Sequence, residues 1–337
     1  MTARRSAEVG WRGRLHRMSA LFVALLLATV AAVASGCGAD ATAPERIVIA
    51  GGVDGGVYAR YAAALSQALT ASLGRRVQVS VLSTAGSVDN LRRLAAGSAT
   101  FAICAADAVA DAMAGVRPVG APATVRTDYR AVARLYDDYI HLVVKAESPI
   151  AGLADLRGRR VAVGGSTSGT AFVARRILTA AGLSGQAVES ELGLSEGLDA
   201  LDRGEVDAVF WSGGLPTGRV VDAAHTERLR LVPLGDVVSP LRAEYGTVYH
   251  QGRIPAETYA GVDGVDTVAF PDLLMTTSQT PDRIVRDVIT ALFAHPEVIG
   301  SVPTGQLLNR AEAIFTEPVP LHEAALDYFR REKIAGG

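Results

Sequence analysis

Two spacings of hydrophobic residues alternate along this chain. Short apolar runs are typical of buried strands, and segments in which apolar residues recur every three or four positions are typical of helices. The first series predicts strands at 46–50, 77–82 and 101–105 and helices at 57–73 and 88–96. This alternation predicts a βαβαβ unit with a parallel sheet.

A second series of the same kind follows, with strands predicted at 160–164, 187–192 and 207–211 and helices at 169–181 and 196–203. Two longer strand-like runs, 129–146 and 265–277, are predicted to cross between two lobes. The last helical patterns, 282–294 and 321–331, are predicted to return to the first lobe. The sequence therefore predicts an α/β fold with a cleft between two lobes.

Size supports two lobes, because about 300 residues exceed the usual span of one hydrophobic core. The predicted boundaries place lobe I at residues 45–138 plus 274–337 and lobe II at residues 139–273. The two long strands are predicted to act as the hinge.

The N-terminal segment has the pattern of an export signal. Five arginines precede an uncharged run at residues 20–34, which has the length of a signal-peptide core and is short for a membrane-spanning helix. The run ends in Ala-Ser-Gly-Cys at residues 34–37, which resembles a bacterial lipobox. We therefore predict a signal peptide at 1–36, a lipidated Cys37 and a tether to residue 44, with the protein held on the extracytoplasmic face of the cell membrane. An ordinary signal peptide that contains a cysteine by chance is the alternative.

Charge and composition exclude several classes of protein. Beyond residue 36 the chain has 28 Lys and Arg against 34 Asp and Glu, a net charge of −6, so nucleic acid is not an expected partner. Cys104 stands alone in an apolar run, which predicts a small buried hydrophobe and no disulfide. The histidines are isolated and lack metal-ligand spacing, so we predict no metal site and no cofactor.

Two glycine-rich loops follow predicted strands and open predicted helices, at residues 51–56 and 164–170. Free backbone N–H groups and the positive end of a helix favour an anion there. Neither loop matches a dinucleotide, P-loop or nucleophile-elbow pattern. Each loop taken alone is equally well explained as a tight turn without ligand, but the pair predicts an anion site shared by both lobes.

Other polar residues near these loops have less certain roles. Thr84, Ser87 and Asn90 stand at a third helix start and are predicted to face the same cleft, although Asn90 equally fits a surface helical position. Asp137 and Asp138 are adjacent on a predicted strand and therefore point to opposite faces. We predict that both are solvated rather than an acid and base pair, so no catalytic residue is assigned.

Several motifs together resemble the TAXI family, the extracytoplasmic solute receptors associated with TRAP transporters. The similarity extends over essentially the whole chain beyond the signal segment. The matching stretches are Gly55-Gly56-Val57-Tyr58, Thr84 to Leu91, Tyr136 to Val144, Ser168 to Thr170, Asp207 to Pro216, and Thr258 to Asp263.

The resemblance implies a type II-like periplasmic-binding-protein fold that closes over a small anionic solute, typically glutamate or a related amino acid or carboxylate. It further implies delivery to the membrane subunit of a TRAP transporter, without catalysis. The ligand-binding residues that it suggests are Val57, Tyr58, Thr84, Ser87, Asn90 and Asp107 in the first lobe and Ser168, Gly169, Thr170, Trp211, Gly213 and Pro216 in the second. Plain core packing is the alternative for Tyr58 and Trp211.

One departure from the family affects the ligand. The family's Val-Gln-Ser-Asp stretch appears here as Cys104-Ala105-Ala106-Asp107, which replaces two polar side chains with methyl groups, so the identity of the solute stays open.

Two other functions fit the same fold. One is a ligand sensor that acts on a membrane receptor or kinase. The other is a binding-protein-like enzyme, which would need a nucleophile or an acid and base pair in the cleft.

Overall fold

The computed structural model describes residues 44–116 and 127–335 of the 337-residue chain. The described residues form one compact unit. The predicted signal peptide and Cys37 lie outside the described residues. Within those residues, no helix has both the length and the apolar character needed to cross a membrane.

The described strands form one mixed sheet in the order β2-β1-β3-β10-β4-β7-β5-β6, with β8 paired to β4 and β9 to β10. Strands β1, β2 and β3 pair in parallel, as do β5, β6 and β7. Their bounds are β1 Glu45–Ala50, β2 Val77–Leu82, β3 Phe101–Ala105, β4 Tyr129–Lys145, β5 Arg160–Ala162, β6 Val188–Ser190, β7 Ala208–Gly213, β8 Leu229–Leu231, β9 His250–Ile254 and β10 Val265–Thr277.

Helices cover both parallel parts of the sheet. In chain order they are α1 Val57–Leu73, α2 Ser87–Ala95, α3 Ala106–Ala114, α4 Gly169–Ala180, α5 Leu194–Asp202, α6 Gly218–Thr226, α7 Val238–Tyr245, α8 Asp282–Ala294, α9 Pro296–Ile299 and α10 Glu323–Ala335. The predicted α/β class is confirmed. Helices α3, α6, α7 and α9 and strands β8 and β9 are additions that the sequence patterns did not predict.

Strands β4 and β10 connect the two parts of the sheet. From Tyr129 to Tyr139, β4 pairs with β10, and from Tyr139 to Lys145 it pairs with β7 and β8. Strand β10 in turn pairs with β3 near Leu274 and with β9 near Val268. We call β1–β3 with their helices the first half and β5–β7 with theirs the second half. The predicted lobe boundaries remain a prediction.

The C-terminal helices return to the first half, because α8 packs on both α1 and α10. On α1, Tyr61, Leu65 and Leu69 are fully buried, and their spacing of four places them on one face of the helix. This face fixes the direction of α1 against the sheet and so the position of its first turn.

Candidate functional site

Three helices of the described chain begin at one cavity, which is partly open to solvent. They are α1 and α2 from the first half and α4 from the second. Because β1, β2 and β5 are parallel strands within their halves, the loops that leave them meet at the same edge of the sheet. The lining residues are Gly52, Val53, Gly56, Val57, Tyr58, Gly86, Ser87, Asp138, Gly169, Thr170, Trp211, Ser212 and Gly213.

The helix starts offer backbone donors to the cavity. Gly56 and Gly86 occupy the N-cap positions of α1 and α2, where no side chain caps the helix. At α4, Ser168 Oγ accepts a hydrogen bond of 3.0 Å from the Ala171 N–H. The first N–H groups of a helix have no partner inside it and form its positive end. The arrangement is therefore suited to an anionic group.

The loops of the two halves touch at glycines. A Cβ atom on Gly86 would lie 3.3 Å from the Gly169 nitrogen, and one on Gly169 would lie 3.0 Å from Ser87 Oγ. Ser87 Oγ also accepts a hydrogen bond of 3.0 Å from the Ala105 N–H. The two loops can approach each other this closely only because neither Gly86 nor Gly169 has a side chain.

Two aromatic residues form walls of the cavity. The Trp211 Nε1–H donates to Thr217 Oγ1 at 3.0 Å, and a Cβ atom on Gly213 would lie only 2.5 Å from that nitrogen. The Tyr58 hydroxyl donates to Asp272 Oδ1 at 2.5 Å. Both aromatic residues line the cavity and have their polar ends paired, so neither is plain core.

A buried carboxylate lies on the floor of the cavity. Asp138 is 2% exposed and accepts a hydrogen bond of 2.8 Å from Ser212 Oγ, so the prediction that it is solvated is wrong. Its neighbour Asp137 points to the opposite face, where it contacts Arg134 at 2.6 Å and His250 at 3.0 Å. The error arose because β4 lies in the middle of the sheet, where residues on both faces are covered.

Asp272 on β10 forms a pair with Asp138. Burial raises the pKa of Asp272 well above its ordinary value, and the nearby charge of Asp138 raises it further. Burial also raises the pKa of Asp138, to about 6, although hydrogen bonds from Asp272 and Ser212 oppose the change. Burial and the repulsion between the two carboxyl groups therefore both disfavour a negative charge on each of them at the same time.

The sequence analysis did not identify this pair. Asp272 and Asp138 are far apart in the chain, and only the antiparallel pairing of β10 with β4 brings them together. One signal was present, because Asp272 is a single charged residue inside an otherwise apolar run.

Five of the predicted ligand-binding residues do not line the cavity, and the first two are Thr84 and Asn90. Thr84 Oγ1 donates to Asn90 Oδ1 at 2.6 Å. Asn90 Nδ2 donates to the carbonyl oxygens of Ile103 at 2.8 Å and Gly51 at 2.5 Å. Asn90 is fully buried and is therefore not a surface residue. These bonds hold the loop that follows β1 and the loop that follows β2 together behind the cavity.

The other three are Asp107, Pro216 and Ser168. Asp107 Oδ2 accepts a hydrogen bond of 2.7 Å from the Tyr249 hydroxyl, which itself accepts one of 3.0 Å from Arg176 Nη1. Pro216 follows a cis peptide bond next to the Trp211 wall. Ser168 also lies outside the lining, as the cap of α4. The remaining predicted residues, Val57, Tyr58, Ser87, Gly169, Thr170, Trp211 and Gly213, are brought together around the cavity.

Metal ligands do not cluster in the described ranges, where no group of three or more His, Cys, Asp or Glu side chains is placed to hold an ion. Cys104 is buried and free. Burial raises the pKa of its thiol well above the ordinary value, so the group stays neutral and packs as a small hydrophobe, as predicted.

This mixed α/β sheet with a cavity at its loop edge is the fold of periplasmic solute-binding proteins. The periplasmic binding protein BugD is similar, with 13% identity, 87% of this chain and 95% of that chain covered, and a TM-score of 0.52. The chain belongs to the NMT1-like family, whose sequence model matches residues 49–333.

Two further solved structures are similar at lower TM-scores. The periplasmic aliphatic sulphonate binding protein SsuA from Escherichia coli matches with 15% identity, 85% of this chain and 79% of that chain covered, and a TM-score of 0.46. A TRAP periplasmic solute binding protein from Shewanella oneidensis, solved with bound succinate, matches with 12% identity, 87% and 84% covered, and a TM-score of 0.47.

Proposed function

We propose that this protein is an extracytoplasmic solute receptor that binds a small carboxylate-bearing solute, an amino acid or related carboxylate, in the cavity between its two halves. The observation that carries the proposal is the convergence of α1, α2 and α4 on that cavity. Three positive helix ends aimed at one small space favour an anionic group.

Binding is coupled to closure in this proposal. The cavity is complete only when residues from both halves meet, because Gly86 and Ser87 come from one half and Gly169 and Trp211 from the other. A solute that contacts both sides has a higher affinity for the closed form, so it shifts the population towards closure. Strands β4 and β10, which connect the two halves, serve as the hinge.

The partner that we propose is the membrane subunit of a TRAP-type transporter, with the protein acting as a receptor of the TAXI type. The support is the set of sequence motifs that resemble that family, because five of the six matching stretches, all but Thr258 to Asp263, contribute residues to the cavity lining. A lipid on Cys37 would hold the receptor at the outer face of the membrane near that subunit.

Tryptophan fluorescence tests the binding function directly. Trp211 is the only tryptophan beyond residue 37, because the other is Trp11, and its ring lines the cavity. A chain of residues 38–337, which contains the whole compact unit, is titrated with amino acids, monocarboxylates, dicarboxylates and neutral sugars. We expect saturable changes in emission for carboxylate-bearing solutes and none for sugars.

Matched glycine variants locate the site. Gly169→Ala places a methyl group 3.0 Å from Ser87 Oγ, whereas a Cβ atom on Gly152 has no neighbour within 4 Å. Gly169→Ala should therefore weaken binding about tenfold or more by holding the halves apart, since a crowded contact costs at least 1 to 2 kcal/mol. Gly152→Ala should bind as the unaltered chain does. Failure of every carboxylate to bind, or chemical turnover of a bound solute, contradicts the proposal.

A further inference from the structure

One of the six motif stretches, Thr258 to Asp263, contributes no residue to the cavity lining. Its Tyr259 is 1% exposed and packs in the core of the second half. The Tyr259 hydroxyl nevertheless belongs to a series of hydrogen bonds that ends at Trp211, a wall of the cavity. The series connects this buried motif to the solute site.

The series begins at His141, a fully buried residue of β4 that lies directly opposite Trp211 in the pairing with β7. His141 Nδ1 lies 2.9 Å from the Tyr139 carbonyl oxygen, which can only accept, so Nδ1 carries the ring proton. Burial lowers the pKa of His141 to about 4, so the ring is neutral at pH 7 and its Nε2 is an acceptor. The Tyr259 hydroxyl lies 2.8 Å from Nε2 and therefore donates to it.

Thr217 continues the series from Tyr259 to the wall of the cavity. The Tyr259 oxygen accepts a hydrogen bond of 3.1 Å from the Thr217 N–H. Thr217 Oγ1 donates to the Gly214 carbonyl oxygen at 2.9 Å and accepts the Trp211 Nε1–H at 3.0 Å. Because Thr217 is 2% exposed, water does not compete for these bonds, and each donor in the series has one defined acceptor.

The indole ring of Trp211 is also confined by its own loop. A Cβ atom on Gly213 would lie 2.5 Å from Trp211 Nε1 and 2.9 Å from Cε2, so the ring lies across the Gly213 backbone. The ring is therefore held at its N–H by Thr217 and along one side by a glycine. A side chain that is already fixed loses less conformational freedom when a ligand binds.

We propose that Tyr259 and Thr217 are positioning residues of the solute site, which hold the Trp211 ring in the orientation that contacts the solute. Neither residue lines the cavity, so both act through the indole. This inference rests on the proposed receptor function and goes beyond it, because it makes the affinity depend on two buried residues that the solute does not touch.

Fluorescence of the unliganded protein tests the positioning by itself. Trp211 is the only tryptophan in the chain of residues 38–337, so the tryptophan emission reports on this ring alone. Tyr259→Phe and Thr217→Val remove the two hydroxyl groups and keep side chains of nearly the same size. Both variants should lower the anisotropy of the emission and raise its quenching by acrylamide, because the ring moves more freely.

Thr217→Ser is the conservative partner of Thr217→Val. It keeps the hydroxyl group and should retain the anisotropy and quenching of the unaltered chain. The comparison is not disturbed by a lost helix cap, because the Thr217 side chain makes no capping hydrogen bond at the start of α6.

Calorimetry then measures the binding of glutamate, alanine, succinate and propionate. For each of these solutes that binds the unaltered chain, we expect the affinity to fall about three- to tenfold in Tyr259→Phe and Thr217→Val, since a side chain that must be ordered on binding lowers affinity by such a factor. Thr217→Ser should restore the affinity. Tyr129→Phe also removes a buried tyrosine hydroxyl, which donates to the Leu91 carbonyl oxygen at 3.0 Å, and should change neither emission nor affinity.

A double variant shows whether Thr217 acts through the indole. Trp211→Phe keeps an aromatic wall but has no N–H to donate. Thr217→Val added to Trp211→Phe should therefore reduce the affinity much less than Thr217→Val does in the unaltered chain.

The outcomes separate the two proposals. Unchanged affinity in Tyr259→Phe and Thr217→Val overturns the positioning role and leaves the receptor function in place, even if the variants are less stable. A loss of affinity with unchanged anisotropy and quenching, or full additivity with Trp211→Phe, also overturns it, because the two residues then do not act through the ring. Failure of all four solutes and of the wider carboxylate panel to bind the unaltered chain contradicts the receptor function and this inference with it.

Discussion

At the scale of single residues, a glycine allows the loop at residues 164–170 to fold closely on itself. Gly164 has a φ of +97°, and a Cβ atom there would lie 2.8 Å from Thr170 Cβ and 2.9 Å from Ser168 Oγ. Gly164→Ala should therefore cost about 2 to 4 kcal/mol in the free energy of unfolding, from backbone strain and overpacking together. Chemical denaturation measures the change.

Gly185 is a matched control for that variant. Its φ of +67° is also positive, but a Cβ atom there has no neighbour within 4 Å. Gly185→Ala should cost only about 1 to 2 kcal/mol, the strain of the left-handed backbone alone. Equal losses at the two positions would show that crowding at Gly164 has no energetic effect.

Asn90 braces the loops behind the cavity rather than lining it. Asn90→Ala would remove the buried hydrogen bonds to the carbonyl oxygens of Gly51 and Ile103 and the one from the Thr84 hydroxyl, and only the Thr84 to Gly51 bond of 3.1 Å would remain among these groups. A buried group without a partner costs about 1 to 3 kcal/mol, so we expect a loss of about 3 kcal/mol in urea unfolding. Asn309→Ala, at an exposed position, should change stability much less. An Asn90→Ala protein with the unfolding free energy of the unaltered chain would show that these hydrogen bonds do not stabilise the loops.

The residues of the cavity differ in how far the sequence could predict them. Gly169 and Thr170 are found from a local pattern, because a glycine-rich strand-to-helix turn needs no distant partner. Asp138 and Asp272 could not be paired from the sequence, since their contact depends on the register of β4 against β10. Whether a charge is solvated depends on the place of its strand in the sheet, which the local pattern does not contain.

At the scale of elements, α3 and α4 are joined across the two halves by Arg176. Its guanidinium contacts Asp111 on α3 at 2.5 Å and lies over the rings of Phe172 and Tyr245. Arg176→Met keeps much of the packing but leaves Asp111 without its partner. We expect a loss of about 3 kcal/mol in the free energy of unfolding, as for other largely buried ion pairs that lose one member.

An exposed ion pair provides the comparison for Arg176. Arg203 contacts Glu205 at 2.8 Å with both side chains 57% exposed. Arg203→Met should leave the denaturation midpoint unchanged within error, because water screens such pairs. Equal midpoints for the Arg176 and Arg203 variants would show that the link between α3 and α4 is no stronger than a surface contact.

Helices α3 and α4 show which helices the hydrophobic pattern of the sequence can predict and which it cannot. Helix α4 follows a polar loop and begins at the predicted residue, because Gly169 comes directly after the Ser168 cap. Helix α3 was not predicted, since it begins at Ala106 directly after a fully buried strand, without a polar break. Its alanine-rich sequence also lacks the clear apolar spacing that marks α1.

At the scale of the whole molecule, the predicted lipid anchor decides where the protein is found. Of the two cysteines in the chain, Cys37 ends the predicted lipobox, and Cys104 is buried and free. Cys37→Ser should move the protein from the membrane fraction to the soluble extracytoplasmic fraction of a bacterial host. Cys104→Ser should leave it in the membrane fraction. A Cys37→Ser protein that remains with the membrane would contradict lipid anchoring.

The pH dependence of stability combines opposing groups from both halves. Burial raises the pKa of Asp138 to about 6, so the native state binds a proton there that the unfolded chain releases at lower pH. This stabilising contribution is complete below about pH 4 and is lost as the pH rises through 6. Burial lowers the pKa of His141 to about 4, which has the opposite effect: its contribution is complete above about pH 6.5 and is lost as the pH falls towards 4.

Comparison with Asp138→Asn isolates the contribution of Asp138, because His141 is common to both proteins. At pH 4.5 both carry a neutral group at position 138, whereas at pH 7.5 only the unaltered protein carries a buried charge there. The variant should therefore gain stability relative to the unaltered protein as the pH rises, by about 2 to 3 kcal/mol for a pKa shift of this size. Urea unfolding at both pH values measures the difference, and the exposed Asp222→Asn should show no such trend. A difference that stays constant with pH would show that Asp138 titrates as a solvated carboxylate, and the negative floor of the cavity would then be screened by water.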